Sequence, residues 1–166
     1  ITISYANVSI IPSDGYYLEY RLDGTCEEPA YSVSNGKFQF KEGAVQRKYR
    51  ITLNPFGYSS VYYENQEPFY LNLYVPKEQY FELFSIYNDS GNVDIEKLQA
   101  KKAELTLDYG NLNLENFTGD NLSLTLDSGD AEFGTVSCKE LTISDEYGNV
   151  TGDNLSASTS VLAELD

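Results

Sequence analysis

The 166-residue sequence contains no histidine, methionine or tryptophan, and only two cysteines. Without histidine it lacks the commonest general base, the commonest metal ligand and the usual physiological pH switch. It also lacks any run of about 20 apolar residues, which excludes a transmembrane helix within these residues. No charged and apolar leader precedes Ile1, so we expect any targeting segment to have been removed or never to have been present.

Basic residues are scarce, above all in the second part of the sequence. Residues 103–166 contain 13 acidic residues and one basic residue, Lys139, whereas residues 1–102 contain 13 acidic and 10 basic residues. The whole chain carries a net charge of −15. Because such a surface repels phosphate groups, nucleic acid is excluded as a partner and contact with an anionic membrane is disfavoured. Cationic ligands remain open.

Apolar residues recur with a period of 19. Four glycines, Gly91, Gly110, Gly129 and Gly148, stand 19 residues apart, and the positions seven before, five before, two after and seven after each of them are always apolar. These sixteen residues are Phe84, Ile86, Val93, Leu98, Ala103, Leu105, Leu112, Phe117, Leu122, Leu124, Ala131, Val136, Leu141, Ile143, Val150 and Leu155. The positions between them are polar, and alternation with a period of two indicates strands rather than helices.

Short strands that repeat every 19 residues predict an all-β fold, a parallel β-solenoid in which each coil contacts its neighbours. The glycines mark one corner of each coil, and the small residues Ala100, Gly119, Cys138 and Ala157 predict a second corner. We expect one domain over residues 1–166, with irregular, tyrosine-rich coils and hairpins in residues 1–80. We expect the regular 19-residue repeats in residues 81–166.

The repeat can be extended towards both ends of the sequence. Residues 3–10 match residues 107–114 in pattern, with Ala6 in the position of the glycine, so the N-terminus is predicted to form a coil of the same kind. At the other end, Leu162 is expected to align with Ile143. No capping segment follows in the sequence, so we expect mainly a monomer with weak, salt-promoted end-to-end association through residues 155–166.

The sequence resembles a known family in three features. These are the segment Tyr70-Leu-Asn-Leu-Tyr-Val-Pro76, the segment Phe84–Ile95 with its Ser-Gly-Asn-Val, and the 19-residue echoes that follow. Over the whole chain this resembles the DUF4097 family of adhesin-like proteins. The resemblance implies a single-stranded, right-handed β-helix, in bacterial proteins often tethered to the envelope by a segment outside the β-domain. It implies an extracellular or envelope location and transfers no catalytic residue.

Two polar columns are candidate sites. The acidic column Asp89, Asp108, Asp127 and Glu146 would place carboxylates about 4.8 Å apart, where neighbours repel by about 0.9 kcal/mol in water. Each acid either caps its own turn or contributes to a ladder for Ca²⁺ or other cationic groups, and these are the only metal candidates. The column Asn92, Asn111, Asp130 and Asn149 is predicted to form a structural hydrogen-bond ladder.

The remaining candidates are cysteines and tyrosines. Without a histidine to activate it, neither Cys26 nor Cys138 is predicted to be catalytic, and no cofactor is predicted. Tyr62 and Tyr63 are the preferred contact residues, because tyrosine combines apolar area with a polar tip. The leading hypothesis is a non-enzymatic binding, adhesion or scaffold module, with a protein, glycan or cationic ligand as partner. An acidic surface that senses or sequesters Ca²⁺ or cationic peptides is the alternative, and a glycan-active enzyme is the third.

Overall fold

The computed structural model describes residues 1–22, 27–43 and 68–165, and their regular secondary structure is entirely β-strand. The strands are β1 (Thr2–Ile3), β2 (Asn7–Ser13), β3 (Tyr17–Arg21), β4 (Ala30–Ser34), β5 (Lys37–Lys41), β6 (Tyr70–Pro76), β7 (Tyr80–Ser90), β8 (Val93–Ile95), β9 (Leu98–Tyr109), β10 (Leu112–Ser128), β11 (Ala131–Tyr147) and β12 (Val150–Leu165). In this part of the chain no helix is long and apolar enough to cross a membrane.

The coils stack in parallel with the predicted offset of 19 residues. Leu124 of β10 lies opposite Leu105 of β9 on one side and Ile143 of β11 on the other. The pairs between β7 and β9 follow the same offset, and so does the first half of the pairing between β11 and β12. Three runs of β10 pair with β11, residues 112–114, 116–118 and 121–126, one for each side of the coil, and Ser128 pairs with Tyr147 beyond them. The predicted β-solenoid is confirmed.

The core is the column of inward side chains that runs along the stack. Of the sixteen repeating apolar residues, all but Val150 and Leu155 are buried. These two lie in β12, which pairs only with β11 among the described strands, so their coil is covered on one side. Leu155 is therefore 45% exposed. Because successive strand side chains point in opposite directions, the apolar residues of the alternating pattern face the inside of the coil and the polar residues face solvent.

Both predicted corners are present, and close backbone contact explains their small residues. A Cβ atom on Gly110 would lie 2.2 Å from the carbonyl oxygen of Gly91, and one on Gly129 would lie 2.0 Å from that of Gly110. Both glycines also have a positive φ, 140° and 143°. At the second corner, a Cβ on Gly119 would lie 1.8 Å from the carbonyl oxygen of Ala100. A side chain does not fit at these three glycines, because successive coils touch there through their backbones.

The N-terminal residues form the predicted extra coil, and its position in the stack was not predicted. Ile3 pairs with Asn88, Val8 with Val93 and Ile10 with Ile95, so Ala6 takes the glycine position as expected. However, β2 lies between β6 and β8, although these two strands are near neighbours in the sequence. The N-terminal coil is thus inserted into the stack between two later parts of the chain.

Antiparallel pairs occur only in the tyrosine-rich part of the described residues. Strands β4 and β5 form a hairpin through Asn35 and Gly36, which both have positive φ, and β3 runs antiparallel to β6. Turns of two residues with positive φ suit the twist of a hairpin. The hairpin expected in the irregular region is therefore present.

The expected alignment of Leu162 with Ile143 is wrong. An irregularity between Cys138 and Glu140 shifts the pairing by one residue, so that Ile143 lies opposite Ala163 and Leu162 lies opposite Thr142. Because side chains alternate along a strand, a shift of one residue exchanges the two faces. The register therefore places Leu162 beside the outward Thr142 instead of beside an inward residue.

Candidate functional site

A ladder of side-chain carbonyl and carboxyl oxygens follows the glycine corner. Oδ1 of Asn7 accepts a hydrogen bond from the backbone N–H of Asn92 at 2.9 Å, and Oδ1 of Asn92 accepts from that of Asn111 at 3.0 Å. In the same way, Oδ1 of Asn111 accepts from the backbone N–H of Asp130 at 2.9 Å, and Oδ1 of Asp130 accepts from that of Asn149 at 3.0 Å. The predicted structural ladder is present, and its main donor is the backbone of the next coil. It fixes the corner of each coil to the one below.

A groove of about 360 Å³ runs beside this ladder on the face formed by β8 and the first residues of β10, β11 and β12. It is lined by the ladder and by the outward residues Asp94, Asn113, Glu132 and Thr151. The ionisable groups in its lining are the carboxylates of Asp94, Asp130 and Glu132. The groove therefore combines three negative charges with amide and hydroxyl groups in a repeating array.

Three lysines of the regular repeats form ion pairs outside the groove. Lys139, the single basic residue of positions 103–166, pairs with Asp120 at 2.9 Å. Lys97 and Lys101 pair with Glu78 and Glu82 of the preceding coil at 3.3 and 3.4 Å. None of these lysines lines the groove. Its negative charge is thus not neutralised by a lysine of the described residues.

The acidic column lies on the other side of the glycine corner. Asp89, Asp108 and Asp127 are half-buried, and Glu146 is exposed. Oδ2 of Asp108 accepts a hydrogen bond of 2.5 Å from the hydroxyl of Tyr87. This bond raises the pKa of Tyr87 to about 12. Within the described ranges, no group of three or more aspartate, glutamate or cysteine residues could hold a metal ion.

Two inward polar residues were missed by the sequence reasoning. Asn88 and Asp145 occupy the column of Leu107 and Leu126, three residues before the glycine, and all four are buried. Nδ2 of Asn88 donates to the carbonyl oxygens of Ala6 at 3.2 Å and Gly91 at 3.1 Å. The inward direction could have been found from Leu107 and Leu126, because stacked coils present the same position to the same side.

Asp145 is the more unusual of the two. It is 4% exposed, and its Oδ1 has no hydrogen-bond partner among the described residues. Burial raises the pKa of this carboxyl, and the negative charge of Asp130 raises it further. The charged form of Asp145 is therefore disfavoured in the fold.

The cysteines and the paired tyrosines contribute nothing to this surface. Cys138 is buried as a free thiol, and desolvation raises its pKa, which lowers the fraction of reactive thiolate. Cys26, Tyr62 and Tyr63 lie outside the described residues, so their predicted roles stay predictions.

Comparison with known proteins agrees with the solenoid. The family profile described as Toastrack DUF4097 matches residues 1–164. The chain belongs to the Toastrack DUF4097 family. Among solved structures, the Toastrack chain is similar to a Clostridium sporogenes protein named "putative cell adhesion protein", with a TM-score of 0.51 and 8% identity. The similarity covers 99% of this chain and 91% of that one, and at this identity it shows a shared fold. No curated protein matches the chain.

Proposed function

We propose that this Toastrack chain is a non-enzymatic binding or scaffold module at the cell surface, and that the groove beside the asparagine ladder is its contact surface. The groove itself carries the proposal: it is open, charged and repetitive, and the ladder fixes its backbone. A surface that is already ordered loses little conformational entropy on binding, so its contacts contribute more to affinity. The name of the C. sporogenes relative supports an adhesion role and a surface location.

Adhesion can be measured directly. Beads coated with the chain should adhere to intact bacterial cells or to purified cell walls. The variant Asp94→Lys with Glu132→Lys should reduce adhesion, because it reverses the charge in the groove. The matched control is Glu115→Lys with Asp153→Lys, which makes the same charge change at exposed residues outside the groove lining. Equal adhesion of both variants and the unaltered chain would contradict the groove as contact surface.

A cationic peptide is the second candidate ligand. The observation that favours it is the set of three carboxylates, Asp94, Asp130 and Glu132, in a groove without a lysine or arginine in its lining. An extended peptide with basic residues could place positive charges along this array. Titration with decalysine in low and high salt tests it: affinity should fall as salt is raised, because the Debye length shrinks to about 3 Å at 1 M. Titration with Ca²⁺ separates the ion from the peptide.

The non-enzymatic assignment is supported by the kind of groups that the sequence offers. It has no histidine, its described thiol is buried, and the groove lies open to solvent instead of enclosing a substrate. A screen for release of reducing ends from soluble glycans tests the enzymatic alternative. Turnover that survives repurification and is lost in a carboxylate variant would overturn the assignment.

The surface location can be tested independently of the ligand. Antibodies against the chain should label intact cells of the source organism, and externally added protease should remove the signal. Labelling only after the cells are broken open would contradict an extracellular or envelope location.

A further inference from the structure

A second repetitive surface lies next to the glycine corner, in the column one residue before each glycine. Here exposed tyrosines alternate with serines from coil to coil: Tyr5, Ser90, Tyr109, Ser128 and Tyr147. We call this column the tyrosine ridge. Its three tyrosines are 48%, 57% and 66% exposed. Large aromatic side chains open to water at a regular spacing contribute little to the core, so the ridge is available for contact.

The alternation sets the distance between the rings. Adjacent coils are about 4.8 Å apart, so tyrosines on every second coil are about 9.6 Å apart along the stack. The half-buried serines Ser90 and Ser128 leave space between them. Three rings at this spacing form a row in which each ring can contact a separate unit of a long ligand.

The backbone of the ridge is held rigidly. The carbonyl oxygens of Tyr109 and Tyr147 accept hydrogen bonds from the N–H groups of Gly91 and Gly129, each at 3.0 Å. At Tyr5 the carboxylate of the buried Glu42 accepts from the backbone N–H of Ser4 at 2.5 Å and of Tyr5 at 3.1 Å. Tyrosine has few rotatable bonds, so a row built on such a backbone is close to preorganised.

The charge around the ridge is negative. Asp89, Asp108, Asp127 and Glu146 form the column directly beside it, two residues before each glycine. A ligand that lies along the ridge therefore meets a row of carboxylates on one side. The faces of the aromatic rings also attract cations. An anionic polymer is repelled from this surface, and a polymer with regularly spaced ammonium groups is attracted.

We propose that the tyrosine ridge binds an extended β-1,4-linked glycan with free amino groups, that is, a chain of glucosamine units. In such a glycan every second sugar presents the same face, and the length of one disaccharide is close to the spacing of the tyrosines. Each tyrosine stacks on the apolar face of every second sugar, and the adjacent carboxylates pair with the ammonium groups. This inference rests on the proposed binding role, names a ligand class for it and uses a surface distinct from the groove.

The probes are the glucosamine hexamer and, for comparison, the fully N-acetylated hexamer and hexalysine, in calorimetric titrations of the full chain. The glucosamine hexamer should bind more tightly than both. Tyr109→Ala with Tyr147→Ala should weaken its binding by about tenfold or more, as expected for the loss of aromatic contacts. The control Tyr31→Ala removes a tyrosine that is equally exposed, at 63%, but lies in the β4–β5 hairpin, and it should leave the affinity unchanged.

Charge and stacking can be separated with one further variant. Asp127→Asn should weaken binding of the glucosamine hexamer, whereas Glu115→Gln, which makes the same change away from the ridge, should not. Circular dichroism of every variant checks that the solenoid is intact. The proposal is overturned if the N-acetylated hexamer binds as tightly as the glucosamine hexamer, or if the tyrosine double variant keeps full affinity. Because none of these variants lies in the groove lining, failure here leaves the adhesion test of Asp94 and Glu132 unaffected.

Discussion

The prediction that tests the solenoid most directly compares two neighbouring residues, Leu124 and Thr125. Leu124 is fully buried between Leu105 and Ile143, whereas Thr125 is exposed. Removing the leucine side chain leaves a cavity, which costs about 2–5 kcal/mol in comparable buried positions. An aspartate at this position must in addition be buried charged and without a partner, or be held in its protonated form.

The cost of the charge can be worked out for pH 7. Keeping an aspartate protonated there requires raising its pKa by about 3 units from 3.9, which costs about 4 kcal/mol at 1.36 kcal/mol per unit. Together with the cavity, Leu124→Asp should cost about 6–9 kcal/mol, a large part of the 5–15 kcal/mol by which domains are stable. Thr125→Asp keeps its side chain in water and should cost about 1 kcal/mol or less, mainly through the lower strand propensity of aspartate.

The assay is urea unfolding followed by circular dichroism at pH 7 and at pH 4, with Leu124→Asn as the uncharged control. A buried aspartate has a folded-state pKa above its unfolded value, so its penalty grows as pH rises above about 3.9. The stability difference between Leu124→Asp and Leu124→Asn should therefore be large at pH 7 and small at pH 4. Equal costs at Leu124 and Thr125, or a difference between the two Leu124 variants that does not depend on pH, would refute the inward position of Leu124.

Three further outcomes follow from individual contacts. In denaturation, Gly129→Ala should lower the free energy of unfolding by more than about 1 kcal/mol, because Gly129 has a positive φ and a Cβ there would lie 2.0 Å from a carbonyl oxygen. The control Gly15→Ala, whose Cβ would have its nearest atom at 3.5 Å, should have little effect. Asp145→Asn should be more stable than the unaltered chain near pH 7, because the raised pKa of Asp145 makes its ionisation favour the unfolded state. This advantage should disappear as pH falls from the raised folded-state pKa to the unfolded value of 3.8, and an advantage that persists at lower pH would contradict the assignment. Tyr87 should titrate near pH 12 by NMR, and Asp108→Asn should return its pKa towards 10; an unchanged value would show that the carboxylate is not the cause.

The spacing of residues in the sequence determined the regular part of the fold. The coil length, the inward residues and both corners could be predicted, because a solenoid repeats one local environment and each apolar or small residue is required again 19 positions later. Ala6 could be placed in the glycine position for the same reason, and Asn92 and Asn111 could be assigned to a ladder before any contact was known. Repetition turns a weak local signal into a strong one.

The tertiary structure alone decided the features that break or cross the repeat. The insertion of β2 between β6 and β8 depends on which edge of the stack the N-terminal coil pairs with, and a local pattern of apolar residues does not contain that choice. The irregular pairing at Cys138 reverses the faces of the residues that follow, so Leu162 points outward despite its position in the period. The groove and the tyrosine ridge likewise arise from residues on different coils. Their depth, exposure and neighbouring charges are fixed by how the coils stack, since residues 19 positions apart become neighbours only in three dimensions.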